Sequence, residues 1–140
     1  MKHLKLFESF KEEDIHDICK KYDIKNYTIN EDGSIDIDGN VDLYEEKLTK
    51  LPLNFRNIKG YFTCYNNQLT SLEGCPKSVY NHFFCDNNKL SSLEVCPESV
   101  GGHFYCNNNK LTSFKGCPKS IGGDFDCCYN KITTFEHLPF

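Results

Sequence analysis

The chain has 140 residues, of which 39% are hydrophobic and 26% charged, and its formal net charge is −4. This composition fits one soluble domain with a continuous apolar core. Because 20 acidic residues outnumber 16 Lys and Arg, neither nucleic acid nor an anionic membrane is expected as a partner. No stretch approaches the roughly 20 apolar residues of a membrane-spanning helix, and charge interrupts the first ten residues too early for a secretory signal. We therefore expect a cytoplasmic protein.

The N-terminal segment predicts a helix. Ser9 and Glu12 have the spacing of a capping box. Apolar residues then recur along one helical face, at Ile15, Ile18, Cys19 and Tyr22. We expect an amphipathic helix over residues 9–22. Its apolar face, or Phe7 and Phe10 before it, should pack against Val41 and Leu43.

Residues 27–38 predict a β-hairpin. Two alternating segments, 27–29 and 35–38, flank a turn-rich stretch from Asn30 to Ser34. The stretch from Ser34 to Glu45 also places acidic residues at several positions of a calcium-binding EF-hand loop. Ser34 stands at the first ligand position, however, and neither flank has a helical pattern. Strands are the better interpretation, and no metal or other cofactor is expected.

The cysteines reveal a repeat. Nine are present, an odd number, with no Cys-x-x-Cys pair, which argues against a disulfide framework and a zinc site. Seven of them recur at steps of 21 residues, in two series: Cys64, Cys85, Cys106, Cys127 and Cys75, Cys96, Cys117. A fixed period of this length is typical of a solenoid, in which stacked units share one core.

The repeat covers residues 39–140. Successive copies begin at Gly39, Gly60, Asn81, Gly102 and Gly123. The first copy is degenerate but keeps its apolar residues in register, and the last is truncated. Because a solenoid end exposes unpaired strand edges, we expect residues 1–38 to form an N-terminal cap of helix plus hairpin.

The four copies from Gly60 onward contain the pattern Phe-x-Cys-x-x-Asn-x-Leu, for example Phe83, Cys85, Asn88 and Leu90, with Ile132 in place of the Leu in the last copy. This pattern resembles the leucine-rich repeat, in which a short strand precedes an Asn that caps the following turn. The resemblance implies a solenoid of the α/β horseshoe class with short parallel strands. The family's leading Leu is absent, and the second half of each copy is too short and too rich in Gly and Pro for a helix. We therefore expect a β-rich variant with an extended or 3₁₀ return, similar to short bacterial and bacteriophage repeats.

In-register stacking predicts inward columns of equivalent side chains, spaced about 4.8 Å apart. The Phe and Cys positions should form two such columns, with the cysteines acting as small, reduced, buried hydrophobes. The Asn column should cap turns. The sequence contains no recognisable nucleophile–base set or phosphate loop. We expect a protein that is not an enzyme.

The positions between buried strand residues should point outward, where solenoids bind partners. They include acidic residues at both ends of the repeats, Asp42 and Glu45 at one and Asp124 and Asp126 at the other. The candidate partner-binding residues are Tyr61, Tyr65, His82, Phe84, His103, Tyr105 and Asp126. Phe84 is the main argument for binding, because an exposed Phe has no polar atom to favour contact with water. The alternative is that these rings only stabilise the sheet by cross-strand pairing.

The sequence thus favours an interaction module that binds a protein through this aromatic face. The alternative is a structural protein that assembles end to end, as a dimer or oligomer, through its C-terminal repeat edge, where Phe125, Ile132, Phe135 and Leu138 stay in phase. The start of the chain, Lys5 to Phe10, is also similar to that of some phage-encoded proteins. This second resemblance implies a location in the host cytoplasm and a partner in the host cell or virion.

Overall fold

The computed structural model of the chain describes residues 12–139. Ser9 of the expected capping box, and Phe7 and Phe10, lie outside the described residues. Helix α1 covers Glu12–Lys21, within the predicted range of 9–22. Its first turn is acidic and its last turn basic, which complements the partial charges at the two helix ends. No helix within residues 12–139 is long and apolar enough to cross a membrane.

The cap and the repeats share one apolar core. Ile15 and Cys19, one helical turn apart, are the buried residues of α1. They belong to the same cluster as Ile37, Val41 and Leu43. The apolar face of the helix is therefore part of the same core as the first turn of the repeats.

The strands are short. They are β1 (Tyr27–Ile29), β2 (Ile35–Ile37), β3 (Val41–Asp42), β4 (Phe55–Ile58), β5 (Phe62–Thr63), β6 (Ser78–Val79), β7 (Phe83–Phe84), β8 (Ser99–Val100), β9 (Phe104–Tyr105), β10 (Ser120–Ile121) and β11 (Phe125–Asp126). β1 and β2 pair antiparallel as a hairpin, whose turn closes with a 2.8 Å hydrogen bond from the amide of Asn30 to the carbonyl of Ser34. All the other pairs are parallel.

The repeats form a parallel β-solenoid of about four turns. Sheet A has the strand order β1-β2-β4-β6-β8-β10, and sheet B has the order β3-β5-β7-β9-β11. In sheet B, Phe62 lies opposite Phe83, and Phe83 opposite Phe104, which is the predicted step of 21 residues. The degenerate first copy keeps this register, because Val41 lies opposite Phe62. The solenoid and its period are thus confirmed.

Sheet A forms the return half of the repeat, which the sequence predicts to be extended or 3₁₀. The extended alternative is the one observed, because the described turns contribute a short second strand, for example Ser99–Val100, which pairs in parallel with Ser78–Val79. Two residues are too few for an alternating pattern to be visible in the sequence. Their pairing depends on the 21-residue register and not on local preference.

The cap is joined to the first turn by an ion pair. The Arg56 guanidinium donates hydrogen bonds to both carboxylate oxygens of Asp36, and Asn30 also contacts that carboxylate. The hydrogen bonds from Arg56 lower the pKa of Asp36. Asp36, one of the acidic residues of the stretch that resembles a calcium loop, lies in the middle of β2.

Two inward columns fill the solenoid. The Phe62, Phe83 and Phe104 side chains are fully buried, and their ring centroids lie 5.6 Å apart from one turn to the next. Cys64, Cys85 and Cys106 form the neighbouring buried column. All nine cysteines are free thiols. Burial raises the pKa of the Cys64, Cys85 and Cys106 thiols, and it raises that of the partly buried Cys117 to about 12, so these four thiols stay protonated and are poor nucleophiles.

A column of Asn side chains binds each turn to the one before it. The Asn88 amide donates to the carbonyls of Cys85 in its own turn, at 3.1 Å, and Cys64 in the previous turn, at 3.0 Å. Its Oδ1 accepts from the amide of Leu69, at 3.0 Å. Equivalent contacts are made by Asn67, Asn109 and Asn130. The column therefore caps turns, as expected, and also crosslinks them.

We predict that Asn88→Ala lowers the free energy of unfolding by about 3 kcal/mol or more, because it leaves three buried backbone groups without partners at about 1–3 kcal/mol each. Urea denaturation measures the loss. Lys89→Ala, at the exposed neighbouring residue, is the control and should change stability by no more than about 0.5 kcal/mol. A loss below about 1 kcal/mol in Asn88→Ala would contradict the crosslinking role.

Candidate functional site

The outer face of sheet B consists of three columns of side chains. The first column is Asn40, Tyr61, His82, His103 and Asp124. The second is Asp42, Thr63, Phe84, Tyr105 and Asp126. The third is Tyr44, Tyr65, Asp86, Asn107 and Cys128. These columns alternate with the buried Phe and Cys columns, so the strand periodicity places them on the outer side of the sheet, where Thr63 alone among their members is buried.

Each column contains a pair of stacked rings. The centroids of His82 and His103 lie 4.5 Å apart in the first column. Those of Phe84 and Tyr105 lie 4.6 Å apart in the second, and those of Tyr44 and Tyr65 lie 5.2 Å apart in the third. Stacking continues between the first two columns, where His82 faces Phe84 and His103 faces Tyr105. Four rings therefore form one continuous aromatic cluster, with the tyrosine pair beside it.

Backbone hydrogen bonds fix the two imidazoles. His82 Nδ1 accepts from the amide of His103 at 2.9 Å, and His103 Nδ1 accepts from the amide of Asp124 at 2.8 Å. A neutral imidazole that accepts through Nδ1 carries its proton on Nε2. The two rings therefore have fixed orientations, with Nδ1 occupied by the backbone. This arrangement leaves Nε2 as a donor and argues against a metal-ligand role for these rings.

Most of the predicted site residues come together. Tyr65, His82, Phe84, His103 and Tyr105 are partly buried and stacked. Tyr61 lies in the first column, but among residues 12–139 its ring stacks on no other. Asp126 lies at the end of the second column, where its Oδ1 accepts from the amide of Cys128 at 3.0 Å.

Phe84 is less exposed than its strand position predicts. Its side chain was expected to be exposed, yet the structure leaves it only partly so. The rings of His82 and Tyr105 cover it on two sides. Stacking along the column, which strand alternation does not describe, accounts for the difference. Much of the apolar surface of Phe84 is therefore covered by neighbouring rings of the same face and is not available to a partner.

Two members of the face were not among the predicted site residues. Tyr44 is 42% exposed and stacks on Tyr65. Asp86 follows Tyr65 in the third column, and burial raises the pKa of its carboxyl, with a smaller contribution from the negative charge of Asp126. Both residues could have been found from the sequence, because each is 21 residues from Tyr65 and therefore occupies the same column on the neighbouring turn.

Carboxylates follow the rings in a regular way. In each column the ring pair is succeeded, one turn further along the solenoid, by an aspartate: Asp124, Asp126 or Asp86. No position of the three columns holds Lys or Arg. Within the described part of the chain, no Lys or Arg pairs with these three carboxylates. The face is therefore aromatic and negatively charged.

Comparisons of the chain with protein-family models, curated proteins and solved structures found no match.

We predict that Asp86→Asn raises the melting temperature at pH 7. A folded-state pKa above the unfolded value means that folding disfavours the ionised form, so the charge costs stability at neutral pH. The gain should shrink as the pH falls through the folded pKa, and vanish below the unfolded value of about 3.9, where both states are protonated. Thermal melts from pH 3 to 8 measure it.

Glu73→Gln, which removes an exposed carboxylate from a return loop, controls for net charge. A general charge effect would appear equally in both variants. A gain in Asp86→Asn that persists at the lowest pH would contradict burial of the carboxyl as the cause.

Proposed function

We propose that the protein is a non-enzymatic module that binds a protein partner through the outer face of sheet B. One observation carries the proposal: six rings from three columns are stacked on the solvent side of a parallel sheet. Aromatic residues are enriched in the energetically important centres of interfaces, and the surrounding carboxylates provide a polar rim. Because neighbouring rings and backbone hydrogen bonds already hold these side chains, binding orders few additional rotamers.

The same rings also stabilise the sheet, at roughly 0.2–1 kcal/mol for each cross-strand pair. Stabilisation alone does not require aromatic residues at these positions. In the second column, Thr63 is joined to Asp42 on the previous turn by a side-chain hydrogen bond, without any ring. The rings extend from Tyr44 on the first turn to Tyr105 on the fourth, and the last turn carries Asp124 and Asp126 instead. This change from rings to carboxylates favours a binding role over a structural one.

We also propose a repeat class and a cellular compartment for the protein. We assign the repeat to the leucine-rich type on the basis of its Asn column and its inward Leu positions, although sheet A replaces the helical return. Nine reduced thiols fit the cytoplasm, where disulfides are rare. A phage origin would make this the host cytoplasm. No catalytic role is proposed, since the buried ionisable groups are mainly thiols with raised pKa values.

The test is affinity capture with the Tyr65→Ala/Tyr105→Ala double variant beside the wild type. We expect one host protein to be recovered by the wild type and its affinity to fall at least about ten-fold in the double variant, as for hot-spot residues. Tyr80→Ala is the matched control, because Tyr80 is 79% exposed and lies outside the three columns. Circular dichroism verifies folding. Equal recovery by the wild type and a folded double variant would refute binding through this face.

Self-assembly is the second candidate, and the end of the solenoid favours it. β10 and β11 are the last strands of sheets A and B. Beyond them, Phe135 is 82% exposed, and Ile132 is only partly buried. Open strand edges recruit further strands. Light scattering should then detect a dimer whose fraction increases with concentration and falls in Phe135→Ser. A monomer at every concentration would contradict this candidate.

A further inference from the structure

The three columns repeat one local arrangement that identifies the chemistry of the partner. In each, the last ring is followed by an aspartate at the equivalent position of the next turn: Asp124 after His103, Asp126 after Tyr105, and Asp86 after Tyr65. Neighbouring turns are about 4.8 Å apart. In the first of these pairs, the Asp124 carboxylate lies 3.8 Å from His103 Nδ1, at the edge of the ring. We call each ring–aspartate pair a notch, because the short aspartate leaves the last ring of its column without a further ring stacked on it from the next turn among residues 12–139.

The charges around these notches are of one sign. Asp42, Asp86, Asp124 and Asp126 lie within the three columns, and Glu45 lies beside them. The nearest regular series of cations lies on the return loops, three residues beyond the third column, at Lys47, Lys89, Lys110 and Lys131. The face thus attracts cations and repels anions, which determines the sign of its partner.

The carboxylates have unused hydrogen-bonding capacity. Asp86 is partly buried, and the side-chain hydrogen bond that it accepts comes from Asn87 Nδ2, at 3.1 Å. Its neighbour on the next turn, Asn107, has a buried Oδ1 without a donor among the described residues. A cation with several N–H groups would use the remaining acceptor positions of the carboxylates.

Among side chains, arginine fits this arrangement best. Its planar guanidinium stacks on aromatic rings, while its N–H groups pair with a carboxylate at the same time. Lysine supplies the charge but not the planar surface or the fork of donors. A notch with one aromatic wall and one carboxylate therefore discriminates between the two cations.

We propose that the outer face of sheet B binds a basic, arginine-bearing extended segment of a partner protein, with guanidinium groups seated in the notches beside Tyr65, Tyr105 and His103. This inference rests on the proposed function and specifies its partner. The three notches lie on two different turns, so a segment with several arginines engages more than one. The negative charge of the notches should make association with a basic segment faster at low ionic strength.

The test uses four synthetic peptides of one length, in which serines alternate with Arg, Lys, Gln or Glu. Calorimetry at low salt measures their affinities, and NMR chemical shifts locate the binding site. The arginine peptide should bind at the three columns and weaken as salt is added. The lysine peptide should bind at least about three-fold more weakly. The glutamine and glutamate peptides should not bind.

Two variants examine the notches directly. Asp86→Asn and Asp126→Asn should each weaken the arginine peptide by about five-fold or more, as expected when a charge pair is removed. Neither substitution removes a ring or changes side-chain size appreciably. Glu73→Gln removes the same charge from a return loop and should leave the affinity within about two-fold, because distant charges are screened.

The possible failures differ in meaning. Equal binding of the glutamine peptide at the same columns would overturn the selection of a cation and leave a protein-binding face in place. An arginine peptide that does not bind, or that is unaffected by both aspartate variants, would overturn the inference itself. Neither result depends on the capture experiment with Tyr65→Ala/Tyr105→Ala, which judges the proposed function separately.

Discussion

The Asn column is the interaction on which the solenoid depends. Backbone hydrogen bonds also join successive turns, within the two-residue strands and beyond them, for example from the amide of Lys89 to the carbonyl of Leu69. Each Asn adds contacts that a strand cannot make, because Nδ2 reaches carbonyls in two successive turns and Oδ1 receives an amide from the earlier one. The amide side chain is suited to this position because it both donates and accepts.

Once this register is fixed, the inside and outside of each turn follow different rules. Inward positions must fill the same volume at every turn, so Phe62, Phe83 and Phe104 are identical and closely stacked. Outward positions do not carry this packing constraint. The outward residues can therefore change from rings to aspartates along a column while the inward residues stay almost the same. A repeat protein of this kind can alter its surface one turn at a time without rebuilding its interior.

The sequence predicts the solenoid well because its period is expressed in residues of distinctive type. Cys and Asn recur at fixed positions, and apolar register identifies even the degenerate turn at Val41. The return strands β6, β8 and β10 of sheet A were predicted only as an extended or 3₁₀ return, because their segment is rich in Gly and Pro, which favour neither a helix nor a strand. Local preference also fails at Val95, which adopts a left-handed φ of 59° where the neighbouring turns have Gly74 and Gly116. A β-branched residue disfavours that conformation, so stacking on adjacent turns decides it.

The candidate site is harder to predict for a related reason. Strand alternation assigns a residue to a face but does not describe what happens along a column, where side chains of successive turns meet. The stacking that covers Phe84, and the aspartate that follows each ring pair, are properties of the column. Such features become visible when the sequence is aligned on its own period and read across turns instead of along the chain. Read in that direction, Tyr65 and Asp86 are neighbours although 21 residues separate them, and the ring and carboxylate acquire a joint chemistry that neither has alone.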